Sequence, residues 1–189
     1  MEPSLRLIIT GGTIDKKYNP LTGEMGFADT HIPAILNQAR VFGGRIVLEK
    51  LMMKDSLDMT DSDREAIANA VITAKEDKMV ITHGTDTMVQ TGRTICAREI
   101  GDKTVVLTGA MIPYSLGVES DAQFNLGTAL AYAEVLPSGV YVAMNGRHFD
   151  IDNVTKDTSL GVFTELPANS YSSYSGLLAS SAAIALDIA

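Results

Sequence analysis

The chain has 189 residues, of which 46% are hydrophobic and 20% are charged, and its formal net charge is −8. This composition suits one globular domain and excludes a disordered chain. The acidic balance argues against nucleic acid and anionic membranes as partners. No apolar stretch approaches the roughly 20 residues that a membrane-spanning helix requires.

The single cysteine and the N-terminal residues bear on the compartment. Cys96 cannot form an internal disulfide, and we expect it to be a small buried side chain in a helix. Residues 1–4 lack the basic and apolar pattern of a leader peptide. These features predict a soluble, cytoplasmic protein.

Apolar runs alternate with helical patterns along most of the chain. A strand is predicted first, then a long loop or loose hairpin over residues 14–28, and then a helix that enters through Pro33 behind a cap at Asp29 or Thr30. Four further strands follow, with three more helices between them. The five predicted strands are 5–10, 45–52, 78–83, 104–109 and 140–145; the later helices begin near 60–63, run over 87–100, and open at Ser120 or Asp121.

The C-terminal part of the chain gives a weaker pattern. Residues 159–166 predict one more short strand, and residues 167–189 predict a low-complexity, apolar tail. We therefore expect one domain over residues 1–166.

Strands that alternate with helices predict an α/β fold with a mostly parallel sheet. Several strands lack polar alternation, as expected when helices cover both faces of the sheet. In such folds ligands bind beyond the carboxyl ends of the strands. Three predicted strands end in hydroxyls and glycines, at residues 10–13 (TGGT), 82–87 (THGTDT) and 108–110 (TGA).

The TGGT segment admits two interpretations of equal weight. Glycines such as Gly12 let a substrate approach the backbone, and Thr13 could act as a nucleophile if a base or a cation activated its hydroxyl. A tight turn with a capping threonine would need the same residue types. The segment has neither the GxGxxG pattern nor the lysine of a phosphate-binding loop.

The HGTDT segment carries more reactive groups than a turn requires. Asp86 could bind an ammonium group, and Thr85 could activate water or a carbonyl carbon; alternatively, either residue caps a helix that begins near Thr87. His83 is better explained as a structural histidine than as a base. The other two histidines show no metal-ligand spacing with it, so we expect neither a metal nor a cofactor.

Five motifs in order resemble the amino-terminal domain of the bacterial-type L-asparaginases. They are TGGTID (10–15), ITHGTDTM (81–88), LTGAMIP (107–113), ESDAQFN (119–125) and NGRHFDIDNVTK (145–156). The resemblance covers roughly residues 5–166. It implies a three-layer fold in which a mixed, mostly parallel sheet has helices on both faces.

The resemblance also implies catalytic roles for individual residues. Thr13 matches the primary nucleophile, and Thr85, Asp86 and Lys156 match the group that moves protons or activates water. Tyr18 is the nearest match to the tyrosine of the active-site loop, although loop spacing differs across the family.

Substrate-binding roles follow from the same resemblance. Ser56 matches the serine that binds the α-carboxylate, and Asp86 would hold the α-ammonium. Gly12 and Gly84 would let the substrate approach the backbone, and the N–H of Thr85 would stabilise an oxyanion.

Two departures from the family pattern bear on activity. Leu57 stands where the family usually has glutamine, and an apolar side chain cannot accept a hydrogen bond. The family's carboxy-terminal domain, which supplies an acidic residue to a neighbouring subunit's site, is expected to be missing. The surface that this domain would bury must then be polar, be covered by residues 167–189 or form another interface, and we expect a homo-oligomer.

The sequence thus predicts an amidohydrolase that acts on asparagine or a related small amide. The alternative is a catalytically weak or inactive module that binds a small amino acid. In both cases the expected partner is a small amino-acid molecule, and no cofactor is required.

Overall fold

The structure, a computed structural model, describes residues 5–41 and 44–167. Within them the strands are β1 (Leu5–Gly11), β2 (Lys16–Asn19), β3 (Glu24–Phe27), β4 (Ile46–Lys54), β5 (Lys78–Thr82), β6 (Thr104–Thr108), β7 (Gly139–Met144), β8 (Arg147–Asp150), β9 (Thr155–Asp157) and β10 (Val162–Thr164). The α-helices are α1 (Ile32–Gln38), α2 (Asp61–Thr73), α3 (Met88–Cys96) and α4 (Ala122–Val135).

Six of these strands form one sheet in the order β4-β1-β5-β6-β7-β8. Neighbouring strands are parallel except for the antiparallel pair of β7 and β8. Because β4 and β5 lie on opposite sides of β1, the strand order reverses direction there. A crevice outside the carboxyl ends of the strands is expected at such a point.

Helices cover both faces of the sheet. Ile8, Ile81 and Leu107 face a core shared with α2 and α3. Their sequence neighbours Leu7 and Val80 face a second core shared with α1 and α4. Since successive side chains of a strand point to opposite faces, strands buried on both sides must be apolar throughout. The predicted three-layer, mixed and mostly parallel α/β fold is confirmed.

Most predicted elements are present with shifted ends. Helix α2 begins behind Thr60, whose hydroxyl and backbone N–H form a capping box with Asp63. The prediction that Asp29 or Thr30 caps α1 is wrong by at least one residue, because His31 occupies the N-cap position. The Thr30 hydroxyl nevertheless accepts the N–H of Ile32 at 3.2 Å. Residues 14–28 include a hairpin, formed by β2 and β3.

The expectation for Cys96 is wrong, because its side chain is exposed at the end of α3. The buried positions of this helix are Met88, Thr91, Gly92 and Ile95. Residue 96 lies off that face, and the helix ends there instead of continuing to residue 100 as the sequence predicts.

Three features complete the comparison with the predicted elements. Strand β10 confirms the short strand predicted within residues 159–166, whereas β8 and β9 were not among the predicted strands. The predicted tail, apart from Pro167, lies outside the described residues. In the part of the chain that is described, no helix combines the length and the apolar character needed to cross a membrane.

Candidate active site

The first corner of the candidate site follows β1. Gly11 and Gly12 have φ values of 96° and 81°, which L side chains rarely adopt. The N–H of Gly12 donates to the carbonyl of Lys54 at 2.9 Å, which fixes this turn against the end of β4. A Cβ atom on Gly12 would lie 2.4 Å from the backbone nitrogen of Gly84. The TGGT and HGTDT corners are therefore in direct backbone contact.

Ser56 brings a third corner to the same place. It begins a single 3-10 turn, Ser56–Asp58, which is separated from β4 only by Asp55. A Cβ atom on Gly84 would lie 2.5 Å from Ser56 Oγ, so the serine packs against the glycine. Ser56 is 1% exposed, and its hydroxyl has no hydrogen-bond partner among the described residues. The hydroxyl of Thr87 holds the turn by donating to the Ser56 carbonyl at 2.8 Å.

Lys156 reaches the HGTDT corner from a distant part of the chain. Its Nζ donates to Thr85 Oγ1 at 2.8 Å and to Asp86 Oδ1 at 2.6 Å. The lysine side chain is 13% exposed, whereas that of Asp86 is 44% exposed. The ammonium is thus largely shielded from water while the carboxylate stays open to a ligand. Such an arrangement places a positive charge beside a hydroxyl, where it favours loss of a proton.

Thr13 follows the contact between Gly12 and Gly84. It is half-buried and begins the 3-10 turn Thr13–Asp15. Within the described residues its hydroxyl makes no hydrogen bond to protein, so it is not occupied as a cap. The plain-turn interpretation of TGGT predicts that this hydroxyl caps local backbone, and no such hydrogen bond is present among the described residues.

His83 is a structural histidine, as the sequence predicted. Its ring is fully buried and forms hydrogen bonds of 2.8 Å with the carbonyl of Gly84 and with the hydroxyl of Thr91. Burial lowers the pKa of His83 to about 4, so the imidazole is neutral near pH 7.

The helix-cap alternative for Thr85 and Asp86 is wrong. Helix α3 begins at Met88, and Thr87 stands before it without a side-chain cap bond. The Thr85 and Asp86 side chains instead meet Lys156.

Tyr18 is a predicted site residue that no described hydrogen bond joins to this cluster. It lies on the β2–β3 hairpin with its side chain 52% exposed. Among the described hydrogen bonds, none connects its hydroxyl to Thr13, Thr85 or Lys156. Lys16, at the base of the hairpin, pairs with Asp55, and its carbonyl accepts the hydroxyl of Ser115 at 2.8 Å.

Sequence reasoning missed two polar residues beside the site. Asp55 pairs with Lys16 and accepts the N–H of Leu57 at 3.0 Å; partial burial raises the pKa of Asp55, but these two partners lower it overall. Asp15 is fully buried, and burial raises its pKa although Thr30 and the N–H of His31 donate to it. Their only signal in the sequence is that each lies within two residues of a predicted site residue.

Metal ligation has no candidate in the described part of the chain. Within residues 5–41 and 44–167, no three His, Cys, Asp or Glu side chains are grouped as metal ligands would be.

Comparison with known proteins gives a consistent set of relatives. The sequence matches the family described as Asparaginase, N-terminal, over residues 4–167. It is 34% identical over 175 residues to L-asparaginase 2 of Escherichia coli, an alignment that covers 86% of this chain and 49% of that protein. It is also 29% identical over 153 residues to a glutamyl-tRNA(Gln) amidotransferase subunit of Methanococcus vannielii, covering 76% of this chain and 34% of that protein.

The fold has the same relatives. The crystal structure of the Probable Cytoplasmic L-asparaginase from Campylobacter jejuni superimposes with a TM-score of 0.74 at 29% identity, covering 87% of this chain and 53% of that one. The chain thus spans about half the length of these asparaginases.

Proposed function

The chain belongs to the asparaginase family, and from this membership and the geometry of its site we propose that it is an amidohydrolase that converts L-asparagine, or a related small amide, to aspartate and ammonia. The observation that carries the proposal is the pair of hydrogen bonds from Lys156 to Thr85 and Asp86, at 2.8 and 2.6 Å. A lysine 70 residues away in sequence, mostly shielded from water beside a hydroxyl and a carboxylate, suits proton transfer.

In the proposed reaction Thr13 is the nucleophile. Its Oγ1 attacks the side-chain amide carbon and loses its proton, and the carbonyl oxygen becomes an oxyanion near the N–H of Thr85. Collapse of this intermediate breaks the C–N bond. The nitrogen takes up a proton and leaves as ammonia, and a threonyl ester remains. Water then hydrolyses the ester to aspartate and restores the hydroxyl. The Thr85, Asp86 and Lys156 group moves the protons.

Substrate orientation is assigned to the other corners of the site. Ser56 binds the α-carboxylate, and the exposed carboxylate of Asp86 binds the α-ammonium. Gly12 and Gly84 bring these corners together, because a Cβ atom on Gly12 would clash with Gly84 and one on Gly84 would clash with Ser56. Tyr18 is proposed to approach the substrate when the hairpin moves, since it lies outside the cluster in this structure.

The decisive experiment measures ammonia release from L-asparagine and L-glutamine by the wild type and by threonine variants. We expect Thr13→Ala to abolish release and Thr13→Ser, which keeps a hydroxyl, to retain part of it. Thr85→Val, which keeps the shape of the side chain, should lower kcat at least about a hundredfold. A Thr13→Ala variant as active as wild type would exclude Thr13 as the nucleophile.

One observation favours the alternative of a binding module without turnover. Leu57, next to Ser56, is 71% exposed and offers no hydrogen-bonding side chain to a bound ammonium. The loss of one charge-assisted hydrogen bond weakens binding by about 10- to 150-fold. A wild-type protein that is stabilised by aspartate but releases no ammonia would support this alternative.

Assembly and location are proposed alongside the activity. We expect a homo-oligomer because large apolar side chains such as Phe124 and Val135 are exposed on α4. Light scattering that gives a monomer mass at micromolar concentration would contradict it. A cytoplasmic location agrees with the description of the Campylobacter jejuni relative, and fractionation of cells that express the chain would test it.

A further inference from the structure

The side chain of Asn145 reaches beyond the turn that contains it. Asn145 and Gly146 have φ values of 56° and 76° and form the two-residue turn between β7 and β8. Asn-Gly is the sequence that such a turn prefers, so turn geometry alone would account for the asparagine. Its Oδ1, however, accepts the backbone N–H of Phe163 at 3.0 Å. The turn itself does not need this bond.

Phe163 connects that hydrogen bond to the candidate site. It lies on β10 directly opposite Lys156 on β9, in a two-stranded sheet separate from the central one. The side chain of Phe163 is buried in the core that also contains Met144. Since β9 has only three residues, its own ladder gives it little support. The Lys156 backbone is therefore held from two sides, by Val154, which is buried in the same core, and by the attachment of β10 to the end of β7.

Asn145 is exposed, but its backbone is tied to the buried side chain of Asn125. Its backbone N–H donates to Asn125 Oδ1 at 3.2 Å. The amide nitrogen of Asn125 donates to the Gly109 carbonyl at 3.1 Å and to Asp121 at 2.8 Å. Asn125 is almost fully buried. A continuous set of hydrogen bonds thus leads from the end of β6, through Asn145, to the hairpin that carries Lys156.

We propose that Asn145 is a positioning residue. By accepting the N–H of Phe163 it fixes the position of the β9–β10 hairpin relative to the end of β7, and thereby holds Lys156 against Thr85 and Asp86. The kinetic part of this inference rests on the proposed amidohydrolase function. Asn145 touches neither the substrate nor the reacting atoms.

The test compares Asn145→Gly with Asn145→Asp. Glycine keeps the positive φ of the turn and removes only the acceptor, whereas aspartate keeps an oxygen in place. We expect Asn145→Gly to lower kcat about tenfold with little change in KM, because the misplaced group acts in proton transfer. Asn145→Asp should retain at least half of the wild-type kcat. Asn69→Gly, on the exposed face of α2, is the control for a general loss of stability.

A cycle with Lys156→Gln separates positioning from a structural effect. If Asn145 acts through Lys156, Asn145→Gly should lower kcat less than about twofold in the Lys156→Gln background. An equal loss in both backgrounds, or an Asn145→Asp loss as large as that of Asn145→Gly, would overturn the proposal.

The same cycle in urea unfolding needs no turnover, so it decides the question where wild type or Lys156→Gln releases no ammonia. We expect the equilibrium constant of unfolding of the double variant to differ at least about twofold from the value that the two single variants, Asn145→Gly and Lys156→Gln, predict when their effects are independent. Additive effects, as expected for Asn69→Gly with Lys156→Gln, would refute positioning. Absence of ammonia release from wild type would count against the proposed function alone.

Discussion

Gly12 is constrained by both its backbone conformation and its neighbour. Its φ of 81° disfavours any L side chain, and an added Cβ would meet the backbone of Gly84, which cannot rotate away. We expect Gly12→Ala to lower the free energy of unfolding by about 2–3 kcal/mol and to abolish ammonia release, because the two corners must separate.

Gly23 provides a matched control for that substitution. It also has a positive φ, of 74°, but a Cβ there would meet nothing within 4 Å. Gly23→Ala should therefore lose only about 1 kcal/mol, from backbone strain. Urea unfolding of both variants measures the difference, and equal losses would show that the contact with Gly84 is unimportant.

His83 makes the stability of the fold depend on pH. Burial lowers its pKa from 6.5 to about 4, so the folded protein binds fewer protons than the unfolded chain between these values. The stabilisation is present above pH 6.5 and is lost as the pH falls from 6.5 towards 4. A shift of this size corresponds to about 3 kcal/mol.

Comparison with a non-titrating variant isolates that contribution. We expect the difference in unfolding free energy between wild type and His83→Gln to fall by up to about 3 kcal/mol when the pH is lowered from about 7 to about 4. His148→Gln, at an exposed position, is the control. A difference that does not change with pH would mean that His83 titrates alike in the folded and unfolded chain.

Asp55 links strand β2 to the turn that begins at Ser56, and the proposed reaction needs both in place. Its carboxylate pairs with Lys16 at the start of β2 and accepts the N–H of Leu57 in the turn that begins at Ser56. We expect Asp55→Ala to raise KM about fivefold with a smaller effect on kcat, because a partly exposed ion pair contributes up to about 1 kcal/mol. Steady-state kinetics check this. Asp58→Ala, in the same turn but without an ion pair among the described residues, should match wild type.

The elements differ in how well the sequence predicts them. All five strands predicted from apolar runs are present in the central sheet, because burial on both faces leaves a continuous apolar signal. Strand β8, Arg147–Asp150, has a single buried side chain, Phe149, and β9 has only three residues. Neither segment is long or apolar enough to predict a strand from its pattern.

The sequence likewise predicts only part of the candidate site. Parallel strands predict that the TGGT and HGTDT corners share one edge of the sheet. No periodicity predicts that Lys156 reaches Thr85 across 71 residues, and this expectation came only from the family resemblance. The bond from Asn145 to Phe163 has no signal in the sequence, because Asn-Gly already suits the turn.

Ligand binding should stabilise the whole domain, because the proposed site is built from corners that only the folded sheet brings together. Gly12, Gly84 and Ser56 follow three adjacent strands, and Lys156 comes from a separate hairpin. Unfolding separates all of them, so aspartate should bind only the folded state. At about a hundredfold excess over its Kd, a ligand of this kind adds about 2.7 kcal/mol, which for a domain of this size raises Tm by about 5–10 °C.

Thermal unfolding with L-aspartate, and with succinate as the matched acid that lacks the α-ammonium, tests this expectation. L-Aspartate should raise Tm more than succinate in the wild type, because only L-aspartate can pair its ammonium with the exposed carboxylate of Asp86. Asp86→Asn should remove most of that difference, since the amide carries no charge. An equal shift by both acids in the wild type would rule out Asp86 as the ammonium site, and no shift with either acid at tens of millimolar would argue against a substrate site formed by these corners.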